Sequence, residues 1–321
     1  MSDGLRDGYD AVVIGGGAAG LSGALMLARS LRSVLVVDGG EPRNRPASGV
    51  HGLLGHDGIP PAQLLERGRA EVRRYGGEIV SGEVASAARD GDSFRVTLDG
   101  SRSVRARRLL VATGLVDELP AVPGLRERWG KDVVHCPYCH GYEVRGKAIG
   151  VLATGPMSVH QALLFRQLSD DVAYFTHTST LSDEQAQELL ARGIRIVDGE
   201  LASLEAVGDR LAAVRLRDGT SVEREVVAVA TRMVARTGFL ADLGLRPVEH
   251  PSGVGEYLVA DSTGRTGVPG VWAAGNVTDM SAQVGASAAA GAMAGAQINW
   301  DLVQEETARA VAARRELLAA S

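Results

Sequence analysis

The side chains with the clearest chemistry are Cys136 and Cys139, the chain's two cysteines, set in Cys136-Pro137-Tyr138-Cys139-His140-Gly141. In a reducing compartment this spacing makes a redox pair or a metal pair, not a structural staple. If a helix begins here, Pro137 suits its first position and Cys136 sits at its positive end. That placement lowers a thiol pKa and favours the attacking thiolate. His140 follows directly. An imidazole titrates near neutral pH, so it can accept a thiol proton and release it again. His140 is therefore a candidate general base for an incoming dithiol, with His135 and Glu143 as neighbours able to share the role; the plainer reading is a histidine on a helix surface. Cys136-x-x-Cys139-His140 also matches a c-type haem attachment pattern, which normally follows export. A zinc site would need about four ligands, drawn in part from a second, separated pair, and the chain has no further cysteine. Two inert buried cysteines are the remaining alternative.

A second constellation lies near the N-terminus. Tyr9–Ile14 reads as a short apolar strand running into Gly15-x-Gly17-x-x-Gly20, followed by a small-residue helix over Leu21–Ser30 and a strand from Ser33 that ends at Asp38. Strand, glycine turn, helix and strand in this order make a βαβ unit with a parallel pair. The glycines permit a tight turn, close approach of backbone to a pyrophosphate, and close helix–strand packing. The helix N-terminus offers free N–H groups and a positive dipole end to phosphates. Gly15, Gly17, Ala18, Ala19 and Gly20 are thus candidate cofactor contacts, and Asp38 is placed for a ribose hydroxyl pair. The motif alone does not separate FAD from NAD.

These sites need elements to hold them. A helix is expected over Pro61–Tyr75, and strands, as hairpins, around Glu78–Ala88, Phe94–Leu98 and Val104–Val111, the last ending at Thr113-Gly114. Pro120–Gly124 suits a linker. A second strand–turn–helix runs from Lys147 to Leu168, with strands at Val172–Phe175 and Ile194–Val197 and a hairpin over Leu211–Val229. Val268–Asn276 reads as a buried strand leading into an alanine- and glycine-rich helix. The two βαβ starts hint at a duplicated nucleotide-binding fold. The expected organisation is α/β, with one domain built from residues 1–118 and 234–321 and a second from 119–233. A net charge of −5 with both signs interspersed argues against a nucleic-acid partner. Met1–Asp10 has no basic region leading into an apolar stretch, and no apolar run is long enough to cross a bilayer, so a cytoplasmic protein without a membrane partner is expected.

Taken together, Thr113-Gly114, Gly270-Val271-Trp272-Ala273-Ala274-Gly275-Asn276, Asp38-Gly39-Gly40-Glu41-Pro42-Arg43-Asn44 and Gln283-Val284 resemble the low-molecular-weight thioredoxin reductases over nearly the whole chain. The resemblance implies two Rossmann-like, three-layer ββα domains and FAD as cofactor. It further implies that Asp38, Gly39, Arg43 and Asn44 lie along FAD, that Thr113, Gly114, Gly275 and Asn276 reach it, and that Gln283 and Val284 meet the isoalloxazine ring. The family usually ends the late segment in Asp, where this chain has Asn276. It also implies that Cys139 faces the flavin and Cys136 is the outer thiol.

The chain departs from that family in two places. An acidic residue usually follows the second cysteine, where His140 stands here. The second domain should carry Gly-x-Gly-x-x-Ala and a basic cluster for NADPH, but the chain reads Ala153-Thr154-Gly155-Pro156-Met157-Ser158 and, at the next strand end, Tyr174-Phe175-Thr176-His177-Thr178-Ser179. Pro156 removes a backbone donor, and no arginine is available for a 2′-phosphate. This combination resembles the thioredoxin-reductase-like dithiol oxidases that close disulfides in natural products such as gliotoxin and holomycin, which share Cys-Pro-(Tyr/Phe)-Cys-His-Gly. The resemblance implies a small-molecule dithiol as substrate, O2 as electron acceptor giving hydrogen peroxide, and a homodimer. The alternatives are an NADPH-dependent disulfide reductase, a ferredoxin-fed flavin disulfide reductase, and a flavoprotein that binds dithiols without turnover.

Overall fold

In the first strand, Gly8–Ile14, both faces are buried: Val12 and Ile14 enter one core cluster with Leu35, Phe94 and Leu109, while Ala11 and Val13 enter another with Leu27, Leu110 and Trp272. Period-two alternation with apolar residues on both faces belongs to the interior of a covered parallel sheet. The computed structural model describes residues 5–99 and 102–320; residues 1–4, 100–101 and 321 of the expected first domain lie outside the described residues. Gly8–Ile14 pairs in parallel with Val34–Asp38 on one side and Ser103–Val111 on the other, and Glu78–Ser81 extends the sheet beyond Val34–Asp38. Ser103–Val111 serves two partners along its outer edge. Its first half pairs antiparallel with Ser93–Leu98, and its second half pairs in parallel with Val271–Ala273.

The expected strand Glu78–Ala88 is two strands. Glu78–Ser81 belongs to the parallel part and Val84–Asp90 pairs antiparallel with Ser93–Leu98. The break falls at Gly82, whose φ of 148° few other residues adopt. Leu211–Val229 also divides. Arg210–Leu216 and Ser221–Glu223 form the hairpin, whereas Val226–Val229, buried at every position, leaves it to lie parallel to Ile149–Leu152. A strand apolar on both faces is stable only inside a sheet. The second sheet is wholly parallel, in the order Arg195–Val197, Val172–Phe175, Ile149–Leu152, Val226–Val229, Val133–Val134. Between the two sheets, Leu115–Glu118 pairs antiparallel with Arg232–Ala235. The result is a mixed α/β fold with two Rossmann-type sheets, the first parallel at its core with antiparallel strands at one edge and the second wholly parallel. Among the described residues no helix is long and apolar enough to cross a membrane.

The alanine- and glycine-rich segment is a 36-residue helix, Val284–Ala319, packed along the first helix, Ala18–Arg29. The packing is at backbone contact. A Cβ on Gly291 would stand 1.9 Å from the carbonyl oxygen of Ala19, and one on Gly295 would stand 2.5 Å from that of Gly23. This intrachain contact accounts for the small residues at Ser287, Gly291, Ala294 and Gly295, which are buried. It also brings the N-terminus of the last helix beside the glycine turn. A Gly291→Val variant is expected to lose about 3 kcal/mol of stability, while Ala290→Val, on the exposed face, loses less than about 1 kcal/mol; urea unfolding followed by circular dichroism measures both.

Candidate active site

A cavity of about 1420 Å³ lies between the two sheets, with the glycine turn at one end and the cysteine pair at the other. Gly15, Gly17, Ala18, Ala19, Asp38, Gly39, Arg43, Asn44, Thr113, Gly114, Asn276, Gln283 and Val284 line it, together with Cys136, Cys139 and His140. Gly20 and Gly275 do not. A Cβ on Gly20 would stand 1.8 Å from the Gly15 carbonyl oxygen, and one on Gly275, at φ 82°, would stand 2.8 Å from Ala19 Cβ. These two glycines let the walls close behind the lining.

The lining fits a dinucleotide. Gly17 caps the first helix with no side-chain hydrogen bond, and a Cβ there would meet open space. Amides at a helix N-terminus without a capping side chain remain available to a phosphate. The Asp38 side chain leans over Gly16, where any Cβ would stand 2.3 Å from Asp38 Cγ. Asp38 Oδ1 accepts the Gly40 N–H at 2.9 Å, and Oδ2 lies 3.3 Å from Arg69 Nη1. Gln283 caps the long helix, again without a side-chain bond, so a second positive helix end meets the same cavity. Such an end suits a group that gains negative charge on reduction.

Two residues expected along the cofactor have other partners. Asn276 Nδ2 donates to the carbonyls of Asp279, Met280 and Ala282, which shapes the loop entering Gln283. Arg43 makes a two-pronged ion pair with Asp117, at 2.7 and 2.8 Å, and Thr231 Oγ1 donates to the same carboxylate at 2.6 Å. Burial opposes ionisation of Asp117, but Arg43 and Thr231 hold its carboxyl below the usual carboxylate range. Sequence reasoning does not single out Asp117, Thr231, Gln161 or His51, which line the same cavity. A lone aspartate in the short strand Leu115–Glu118 carries no local signal of a partner 74 residues away.

Cys136 is the N-cap of a one-turn helix, Pro137–His140, with Pro137 in the first turn. Its carbonyl accepts the N–H groups of Cys139 and His140 at 3.2 and 3.1 Å. Cys139 Sγ donates to Cys136 Sγ at 2.6 Å. That hydrogen bond is the main reason the Cys136 thiol falls to about 7; burial opposes it, and the N–H groups of Cys139 and Tyr138 and the charge of Arg43 assist. Cys139 is pushed up by the same hydrogen bond and by burial. The two thiols are therefore unequal, one a thiolate near neutral pH and the other holding the proton.

Neither ring nitrogen of His140 has a hydrogen-bond partner, and both are buried. Burial lowers its pKa, Glu143 works against that fall, and His51 and His135 add to it. A neutral imidazole with unsatisfied nitrogens can take a proton from a group that enters the cavity. His135 is engaged differently. Its Nδ1 lies 3.0 Å from the Val229 carbonyl, and Gln161 Nε2 donates to its backbone carbonyl at 2.6 Å.

At the second sheet, the turn after Ile149–Leu152 is closed from within. Ser158 Oγ, fully buried, accepts the N–H groups of Thr154 and Gly155 at 3.0 and 3.3 Å. Thr154 Oγ1 donates to the Ala230 carbonyl at 2.6 Å. At the next strand end the Gly199 N–H donates to Thr176 Oγ1 at 3.3 Å, and the Leu201 N–H donates to His177 Nδ1 at 3.0 Å.

Comparison with known proteins agrees with this geometry. The family model described as pyridine nucleotide-disulphide oxidoreductase matches residues 9–299. Thioredoxin reductase tcpT of Claviceps purpurea is 34% identical over 311 residues, covering 92% of this chain and 95% of that protein. Thioredoxin reductase sirT of Leptosphaeria maculans is 30% identical over 319 residues, covering 94% and 96%. The crystal structure of HlmI superposes with a TM-score of 0.92 at 46% identity, covering 98% of each chain. The thioredoxin-reductase-like resemblance read from the sequence holds.

In the reduced protein, iodoacetamide is expected to alkylate Cys136 with a rate that rises through a midpoint near pH 7, leaving Cys139 unmodified; peptide mass spectrometry across pH reads both sites. Cys139→Ala removes the donor and moves that midpoint upward. Asp117 has a depressed folded-state pKa, so its contribution is present above the ordinary carboxylate range and is lost as pH falls through the folded value. Asp117→Asn is therefore expected to cost about 2 kcal/mol at neutral pH and to flatten the loss of stability in acid, measured by unfolding at a series of pH values.

Proposed function

Given that the chain belongs to the pyridine nucleotide-disulphide oxidoreductase family, we propose that it is an FAD-dependent dithiol oxidase that closes an intramolecular disulfide in a small natural-product dithiol. The observation that carries this reading over a nicotinamide-dependent one is the closed turn of the second sheet. The Thr154 and Gly155 amides, which a pyrophosphate would need, already donate to Ser158 Oγ. Pro156 has no N–H to offer, and Thr176 and His177 occupy the strand end where an arginine would read a 2′-phosphate. Thioredoxin reductase, the name of the relatives in Claviceps and Leptosphaeria, supports the alternative of an NADPH-dependent reductase, which would require that turn to open.

In this reading residues 1–118 and 234–321 hold FAD, through the first-helix N-terminus, Asp38, Thr113, Gly114 and the Gln283-Val284 helix end; residues 119–233 carry the cysteine pair. Bound there, FAD would supply a two-electron acceptor for the reduced pair, with O2 as the final acceptor giving hydrogen peroxide. The chain's own residues perform the exchange. His140 Nε2 or Nδ1 takes the proton of one substrate thiol, and the resulting thiolate attacks Cys136 Sγ of the Cys136–Cys139 disulfide. The Cys136–Cys139 bond breaks, and Cys139, the more basic sulfur, receives the proton. His140, neutral again, takes the second thiol proton. The second substrate thiolate then attacks the substrate sulfur bound to Cys136, closing the product disulfide and expelling Cys136. A leaving thiol of low pKa departs faster, which suits Cys136 to this place. One substrate proton ends on Cys139 and the other on His140 beside the Cys136 thiolate, and the dithiol is oxidised by two electrons. A cytoplasmic homodimer, implied by the resemblance, belongs to the same proposal.

In air, with a small dithiol and no nicotinamide, the purified protein is expected to form one peroxide per disulfide. Cys136→Ser and Cys139→Ser abolish turnover, and His140→Ala lowers it about 100-fold near neutral pH. Turnover that depends on added NADPH, or a His140→Ala variant with the parent rate, contradicts the proposal.

A further inference from the structure

His140 does not face the cavity alone. His51 comes from the loop between Val34–Asp38 and Pro61–Arg74, and it lines the same cavity as both cysteines and His140. Its ring is held in place. A Cβ on Gly49 would stand 3.2 Å from His51 Nε2, and the loop is pinned by reciprocal bonds between Val50 and the Gly58–Ile59 backbone at 2.8 Å. Each ring nitrogen of His51 has a carboxylate in ion-pair range: Asp57 Oδ1 lies 3.6 Å from Nδ1, and Glu143 Oε1 lies 3.6 Å from Nε2. Glu143 follows the cysteine helix and also acts on His140, while His51 and His135 act on His140 as like charges. His51 thus lines the same cavity as His140 from a segment 89 positions away in sequence, with its Nε2 in range of Glu143.

We propose that His51, Glu143 and His140 form one coupled acid–base unit, in which His51 pairs with the Glu143 carboxylate next to His140 and is a positioning residue that sets when His140 can accept a thiol proton. This rests on the dithiol-oxidase reading for its substrate, but the coupling itself is a property of the three side chains. When His51 carries a proton, it satisfies Glu143 and presents a like charge to His140, so His140 stays neutral and competent as a base. When His51 is neutral, the Glu143 carboxylate is free to support the His140 imidazolium, so a proton once taken is held. Asp57, two-thirds exposed, links His51 to solvent through Nδ1. The remaining charged groups in the neighbourhood act elsewhere: Arg43 bears on His135 and on both thiols, and Asp117 bears on His135.

The coupling makes opposite predictions for its two supports. In His51→Gln the like charge disappears and Glu143 serves His140 alone, so His140 titrates higher and the acid limb of kcat/KM moves up, by about one pH unit. In Glu143→Gln the carboxylate disappears, so His140 titrates lower and the acid limb moves down. Both are read on the FAD-loaded protein from about pH 5 to 9, by dithiol turnover and by NMR titration of the His140 ring carbon in histidine-labelled protein. If His51→Gln does not fold, Asp57→Asn tests the same direction with a smaller shift. Opposed shifts support the coupling. Shifts in the same direction, or none in either variant, overturn it. A parent protein that does not turn over dithiol contradicts the oxidase reading instead, and the NMR titration still decides the coupling.

Discussion

Cys136 and Cys139 face each other sulfur to sulfur within one helical turn, and the geometry that enforces this governs the rest of the site. Cys139 donates to Cys136 across 2.6 Å, which requires both side chains to leave the same face of a single helical turn. The turn is too short to stabilise itself, since a helical nucleus is unfavourable until it is extended. It persists because its ends are fixed from outside. Val133–Val134 leads in as an edge strand of the second sheet, Gln161 grips the His135 carbonyl, and a Cβ on Gly141 would stand 2.3 Å from the Leu168 side chain. The sheet, the Ser158–Phe165 helix and the cysteine turn thus form one mechanical unit. Its chemical result is a pair of unequal sulfurs, one suited to leave and one suited to hold the proton.

The same economy explains the second sheet. A nucleotide-binding turn exposes amides to a ligand, and amides without a ligand must find another partner. Here Ser158 is that partner, and it is fully buried. The Ser158–Phe165 helix, instead of presenting its N-terminus to a phosphate, turns its Gln161 toward the cysteine segment. The parallel sheet and this helix together hold the segment that carries the thiols.

Much of this is legible in the amino-acid sequence alone. The glycine turn between an apolar strand and a small-residue helix, the spacing of the cysteines, and Pro156 within the second turn are local patterns, and local patterns report local backbone. Gly82 is a partial exception: its φ of 148° splits one expected strand in two, but in sequence it is another glycine among 41. Partners brought together by the fold are not legible. Arg43 reads as a cofactor residue because its neighbours do, and its guanidinium pairs with Asp117 of a distant strand, whose carboxylate also accepts from Thr231. His51 sits in a glycine-rich loop with no periodicity, and its meeting with Glu143 depends on how that loop folds back over the cysteine helix. The full length of the last helix is hidden for a different reason. Its buried face is small residues through Gly295 and becomes apolar again only at Ile298 and Leu302, and around and beyond that point it is anchored by Arg32, Arg107 and Arg108 through Asp301, Glu305 and Glu306.

The most direct test of the account is an anaerobic titration of the FAD-loaded protein, with the oxidised-flavin absorbance followed as either NADPH or a small dithiol is added. The account predicts bleaching by the dithiol alone, with the colour restored when air is admitted. Prompt, stoichiometric bleaching by NADPH would contradict it, because the Thr154–Gly155 turn would then have to release Ser158 and bind a nucleotide.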